Sequence, residues 1–131
     1  MIALSTAWYP RKKPHLRGVL EAAAAMGFEA IEIGVQEAVP FRLKELEKAL
    51  ATHPLKVVSI HNVCTERKLD PSNRRGDWLA SLDEEQRREG VALTLETIEL
   101  AKKLGASAVV LHLGSPAIEE KWEKQTLLYH L

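Results

Sequence analysis

Residues 24–33 and 102–111 repeat one design: Ala-Ala-Met26-Gly27-Phe-Glu-Ala30-Ile31-Glu-Ile33 and Lys-Lys-Leu104-Gly105-Ala-Ser-Ala108-Val109-Val-Leu111. In each, a helix end is followed by a glycine, two spacer residues and an apolar strand. A glycine just past a helix supplies the left-handed residue that ends it. A chain that repeats this phrase is built from βα units, which call for a parallel sheet with right-handed crossovers. Repeated units of this size are what a (β/α)₈ barrel is made of.

The rest of the chain fits that order. Residues 2–5 form a first strand, with Ile2 and Leu4 on one face and Ala3 and Ser5 on the other. Pro14 opens a helix to about Met26, and the second strand covers residues 29–34. Pro40 opens the next helix to about Thr52, where Leu43, Leu46 and Leu50 recur at helical spacing. Residues 56–61 are the third strand, and residues 62–80 are too polar and irregular for a regular element, so a long loop over the strand ends is expected. The phrase Ser81-Leu-Asp-Glu84 matches a capping box, and the helix it starts runs to Leu104 with Val91, Leu95 and Ile98 on its buried stripe. Residues 108–114 are the fourth strand, and Pro116 leads into a last helix carrying Ile118, Trp122 and Tyr129 on one side.

Side chains alternate between the faces of a strand. Ile31/Ile33, Val58/Ile60 and Val109/Leu111 therefore share the helix-covered face, leaving Glu32, Ser59, His61 and His112 together on the other. A carboxylate and two imidazoles then converge at the C-terminal ends of parallel strands, where α/β proteins place their chemistry. Histidine there serves as a metal ligand, an acid/base or a satisfied hydrogen-bonding group. The residue type does not choose among these.

The chain has 131 residues, enough for one domain with a real core. Eighteen Lys and Arg balance eighteen Asp and Glu, so no global field favours nucleic acid or a membrane surface. The single cysteine, Cys64, excludes an internal disulfide and suits a reducing cytoplasm. A buried small hydrophobe is its expected role. The N-terminus lacks a basic lead before an apolar run, and no stretch is long enough to span a bilayer.

The phrases around Glu32, the Ser-Ile-His ending at His61 and the Ala-x-x-Leu-Gly-Ala-x-x-Val-Val-Leu-His-Leu-Gly ending at Gly114 have an order and spacing that resemble the xylose isomerase-like TIM barrels. That superfamily includes sugar isomerases and epimerases, inosose dehydratase-like proteins and endonucleases of the endonuclease IV type. The resemblance implies the first four βα units of a barrel. A full barrel has eight strands and about 250 residues. This half-barrel is expected to be completed by self-association as a homodimer or by a C-terminal half.

By the same resemblance Glu32 lies near the substrate as the candidate catalytic group, with Ser59 and Trp8 as substrate contacts. His61 and His112 face the site, and in the endonuclease branch they are metal ligands. The implied cofactor is a divalent ion: zinc, manganese or magnesium. In the isomerases and epimerases it is held by Glu, Asp, His and Glu on strands five to eight, beyond the part matched here. Three functions are weighed. The first is the N-terminal half of a sugar isomerase or epimerase acting on a small sugar-like substrate, inactive alone. The second is an endonuclease-like DNA repair protein, to which the basic runs Arg11-Lys12-Lys13 and Arg74-Arg75 lend contacts and which the zero net charge disfavours. The third is a non-catalytic half-barrel that associates through its uncovered face and edges.

Overall fold

In the computed structural model, residues 2–8, 16–34, 42–67 and 76–113 are described. Pro14, Pro40, the basic runs and the segment after Leu113 lie outside them. The elements alternate: β1 (Ala3–Ser5), a 3-10 turn (Thr6–Trp8), α1 (Leu16–Ala25), β2 (Ala30–Ile33), α2 (Leu43–Thr52), β3 (Lys56–His61), a second 3-10 turn (Gly76–Ala80), α3 (Glu84–Leu104) and β4 (Ala108–Val110). All neighbouring strands pair in parallel, in the spatial order β1-β2-β3-β4. This is the βα half-barrel architecture that the repeated phrase predicts. The glycines of that phrase do the same job in both copies. Gly27 (φ 81°) and Gly105 (φ 70°) take the left-handed conformation, and the strands begin three residues later at Ala30 and Ala108.

The helices cover one face of the sheet. Leu20 and Ala23 of α1, Leu46 and Ala49 of α2, and Leu100 and Ala101 of α3 close over Ile31, Ile33, Val57 and Ile60. Leu43 and Leu50 pack on the margin of this cluster, as the helical spacing predicts, and so do Leu4 and Val109.

The strand alternation is broken once. Ile31 pairs with Val57 but Glu32 pairs with Ser59, so β3 carries an extra residue, Val58, at this step. Bulges of this kind re-aim side chains. Val57 therefore joins Ile60 in the core, and Val58, expected there, is only half-buried. The Val58 carbonyl accepts instead from the Ser107 backbone N–H and hydroxyl at 3.1 and 3.3 Å. β4 is also shorter than the apolar run suggested: it ends at Val110, and Leu111, expected under the helices, is 44% exposed.

The orientation of α3 is the largest departure from the sequence pattern. Val91, Leu95 and Ile98 are exposed, and the buried arc is Gly90, Leu93, Thr94, Thr97, Leu100 and Ala101. The reason is hydrogen bonding. The chain leaving β3 is irregular and needs partners for its polar groups. The Thr97 hydroxyl accepts from the Cys64 N–H at 3.0 Å, and the Thr94 hydroxyl accepts from the Asn62 side-chain amide at 3.0 Å. Gly90 completes the fit: a Cβ there would stand 2.7 Å from the Trp78 Cβ, so only glycine lets the 3-10 turn lie against the helix. The described end of the 62–80 loop thus packs on α3.

The N-cap of α3 is Asp83, two residues after the Ser81 expected from the capping box. Its carboxylate accepts from the N–H groups of Glu85 and Gln86 at 2.8 and 3.0 Å. Lys102 and Lys103 in the last turn complement the helix dipole. No side chain of Arg42 caps α2; the Leu43 N–H is instead met by the Glu66 carboxylate at 3.0 Å. No helix among the described residues is long and apolar enough to cross a membrane.

Candidate functional site

The face of the sheet opposite the helices carries a connected row of polar groups. Ser5, Glu32 and Ser59 stand in register across β1, β2 and β3. The Ser5 hydroxyl donates to Glu32 Oε1 at 2.8 Å and the Ser59 hydroxyl donates to Oε2 at 2.9 Å. Each carboxylate oxygen is fixed by one donor and keeps lone-pair capacity for another. The bulge at Val58 makes this possible, because uninterrupted pairing would set Val58 opposite Glu32. Sequence reasoning does not single out Ser5. Its only signal there is that it closes the first strand on the face it shares with Ala3.

Two residues further along β3, His61 lies over the same carboxylate, its Nδ1 3.8 Å from Glu32 Oε1. That is too long for a direct hydrogen bond. On the other side of the ring, Nε2 is 2.6 Å from Nε2 of His112, and the rings stack with centroids 4.7 Å apart. One ring nitrogen donates and the other accepts. The carboxylate on the Nδ1 side favours the His61 tautomer protonated there, which leaves Nε2 as the acceptor. His112 reaches this position from just beyond β4, two residues past Val110, which pairs with His61.

The base of the site is tied to the scaffold. Thr6 accepts from the Gly34 N–H at 2.7 Å and donates to its carbonyl at 2.9 Å, fastening the turn after β1 to the end of β2. The Asn62 N–H donates to the Val110 carbonyl at 2.9 Å, joining the ends of β3 and β4. Beyond them Arg67 bridges Glu89 and Glu96 at 2.6 and 3.1 Å, and the Thr65 hydroxyl donates to Glu96 at 2.6 Å. Cys64 follows this strand but serves packing: it is fully buried, and desolvation pushes its thiol up to about 12. A thiol held protonated is a poor nucleophile and a poor ligand.

The sequence therefore places Glu32, Ser59, His61 and His112 correctly on one face. Trp8 ends the first 3-10 turn, and its side chain lies outside the described residues. As metal donors, two neutral imidazoles have suitable chemistry but fall short of the three or four ligands a zinc site needs. Glu32 stands on the Nδ1 side of His61, away from Nε2, and among the described residues no group of three or more His, Cys, Asp or Glu is arranged to hold an ion.

A family model described as xylose isomerase-like TIM barrel matches residues 20–128. The chain belongs to this family. The match spans β2, β3 and β4 with Glu32, Ser59, His61 and His112. No curated protein matches the chain.

Proposed function

We propose that this chain supplies the N-terminal half of the active-site face of a metal-dependent sugar isomerase or epimerase acting in the cytoplasm, with a second copy or a C-terminal half completing the barrel. The observation that carries the reading is the fixed Glu32 carboxylate beside the paired His61 and His112 rings at the strand ends. Moving a proton on the carbon next to a carbonyl needs a positioned base and stabilisation of the oxyanion that forms. Glu32 is the base: Ser5 and Ser59 fix its two oxygens, and each oxygen keeps capacity to accept a proton. His61 and His112 would hold a divalent ion as two of its ligands once the hydrogen bond between their Nε2 atoms opens and its proton leaves, the rest coming from outside the four strands. Such an ion polarises the carbonyl oxygen. Ser59 is a further substrate contact, able to turn its hydroxyl from Glu32 to a sugar hydroxyl.

The chain alone is expected to turn over little substrate, because a base, a held cation and an oriented substrate are needed together. Binding therefore tests the reading. Calorimetry with zinc and manganese should show an association that His61→Ala and His112→Ala each weaken about tenfold or more. Saturation-transfer NMR on the zinc-loaded protein should then detect ketoses, with a signal lost in Glu32→Gln. Unchanged heats in both histidine variants remove the metal role, and absence of sugar binding removes the substrate class. The convergence of the two histidines favours one competing reading, the endonuclease branch. Metal-dependent cleavage of abasic-site DNA would install it in place of the first.

A further inference from the structure

Asn62 is the first residue beyond β3, and its side chain leaves the face that carries His61 for the helix-covered side of the sheet. There its amide donates to the Thr94 hydroxyl at 3.0 Å, and that hydroxyl donates in turn to the Gly90 carbonyl at 2.8 Å. The Asn62 N–H donates to the Val110 carbonyl at 2.9 Å. One residue thus joins the ends of β3 and β4 to α3. Its Oδ1 is buried and has no hydrogen-bond partner among the described residues. A buried acceptor without a donor costs stability, and an apolar side chain of the same shape would avoid that cost. Packing therefore does not account for asparagine here. What it holds does.

We propose that Asn62 is the positioning residue of the histidine pair, tying the strand end that carries His61 to β4 and to α3 so that the two Nε2 atoms meet. His61 immediately precedes it, and Val110, which accepts its N–H, pairs with His61 and stands two residues before His112. β4 ends at Val110, and Leu111 beyond it is exposed, so the core does little to fix His112. The contact between the rings is nevertheless 2.6 Å, and a hydrogen bond weakens steeply with displacement. The strand ends must be held to a fraction of an ångström. The bond from the Cys64 N–H to Thr97 fastens the loop further along α3, and it leaves the strand end itself to Asn62. The consequence for metal rests on the reading of the two histidines as ligands; the consequence for their contact does not.

The ¹⁵N–¹⁵N coupling across the Nε2 to Nε2 hydrogen bond, measured by NMR on the full chain, tests this. The wild type should show it, Asn62→Leu and Thr94→Val should lose it, and Thr94→Ser, which keeps the hydroxyl, should retain it. Asn62→Leu removes the orphaned acceptor along with the anchor, so its denaturation midpoint should stay at the wild-type value or rise while the coupling disappears. A structural role alone would move the two together. Zinc affinity, by calorimetry, should fall about tenfold or more in Asn62→Leu, as for loss of a ligand's support. Coupling that is absent in the wild type, intact in both Asn62→Leu and Thr94→Val, or lost equally in Thr94→Ser overturns the proposal. If the wild type binds no zinc but the couplings follow the expected pattern, the metal reading fails and the positioning role stands. If zinc binding needs both histidines but neither it nor the coupling changes in Asn62→Leu and Thr94→Val, the positioning role fails and the metal reading stands.

Discussion

On the helix-covered side of the sheet, Ile31, Ile33 and Ile60 are fully buried, whereas one residue along the same strands Glu32, Ser59 and His61 remain partly open to solvent. The first set makes no side-chain hydrogen bonds and is positioned by contact with Leu20, Leu46 and their neighbours. The second is positioned by hydrogen bonds from strand to strand, Ser5 to Glu32 and Ser59 to Glu32, and by the histidine pair. The difference teaches that one backbone register serves two purposes. Burial on one face stabilises the strands, and their rigidity then holds polar groups in place on the other face at little further gain in stability.

Ile60→Ala is the strongest way to break that contrast. Removing most of a fully buried side chain loses its transfer free energy and leaves a cavity, together about 2–5 kcal/mol. The denaturation midpoint should fall sharply with an unchanged slope, and the site should be lost only as the whole sheet is lost. A midpoint within experimental error of wild type would mean that the helix face is not what holds the sheet together.

The next effect belongs to Cys64 and depends on pH. Its thiol is raised from 9.0 to about 12 by burial. Above the unfolded value the unfolded chain releases a proton that the folded one keeps, so the folded state loses stability as pH rises through the interval between the two. The slope from this group approaches about 1.4 kcal/mol per pH unit. Below the unfolded value of 9.0 it contributes none. Comparing alkaline stability curves of the wild type and Cys64→Ala isolates it: the variant should lack the extra slope, and equal slopes would place Cys64 in contact with water.

How much of this was legible in the sequence follows the same division. The strand order, the helix-ending glycines and the shared face of Glu32, Ser59, His61 and His112 came from alternation and repetition, which are properties of single elements. What escaped depends on two elements meeting. The extra residue at Val58 is set by pairing with β2, and a run of Val-Val-Ser-Ile-His reads as regular alternation until its partner is known. The rotation of α3 escaped for a related cause: Thr94 and Thr97 look like solvent positions, but they are buried because the loop after β3 needs hydrogen-bond partners. Ser5 escaped because its value lies wholly in facing Glu32 across the sheet.

Ser59→Ala sharpens the contrast by removing one polar group next door to Ile60. The variant loses a single hydrogen bond to a carboxylate that water also reaches, so its stability should fall by only about 0.5–1.5 kcal/mol. The functional consequence is positional. With Oε2 released, Glu32 is held by Ser5 alone through Oε1, the oxygen nearest His61 Nδ1, so its charge is less firmly fixed there and the preference for the Nδ1-protonated tautomer weakens. The ¹⁵N shifts of the two imidazole nitrogens report that preference directly. They should move toward each other in Ser59→Ala, and further in the Ser5→Ala/Ser59→Ala double variant. Wild-type shifts in the double variant would show that His61 is oriented by His112 alone, and that the serine-held carboxylate acts on substrate without acting through the histidine.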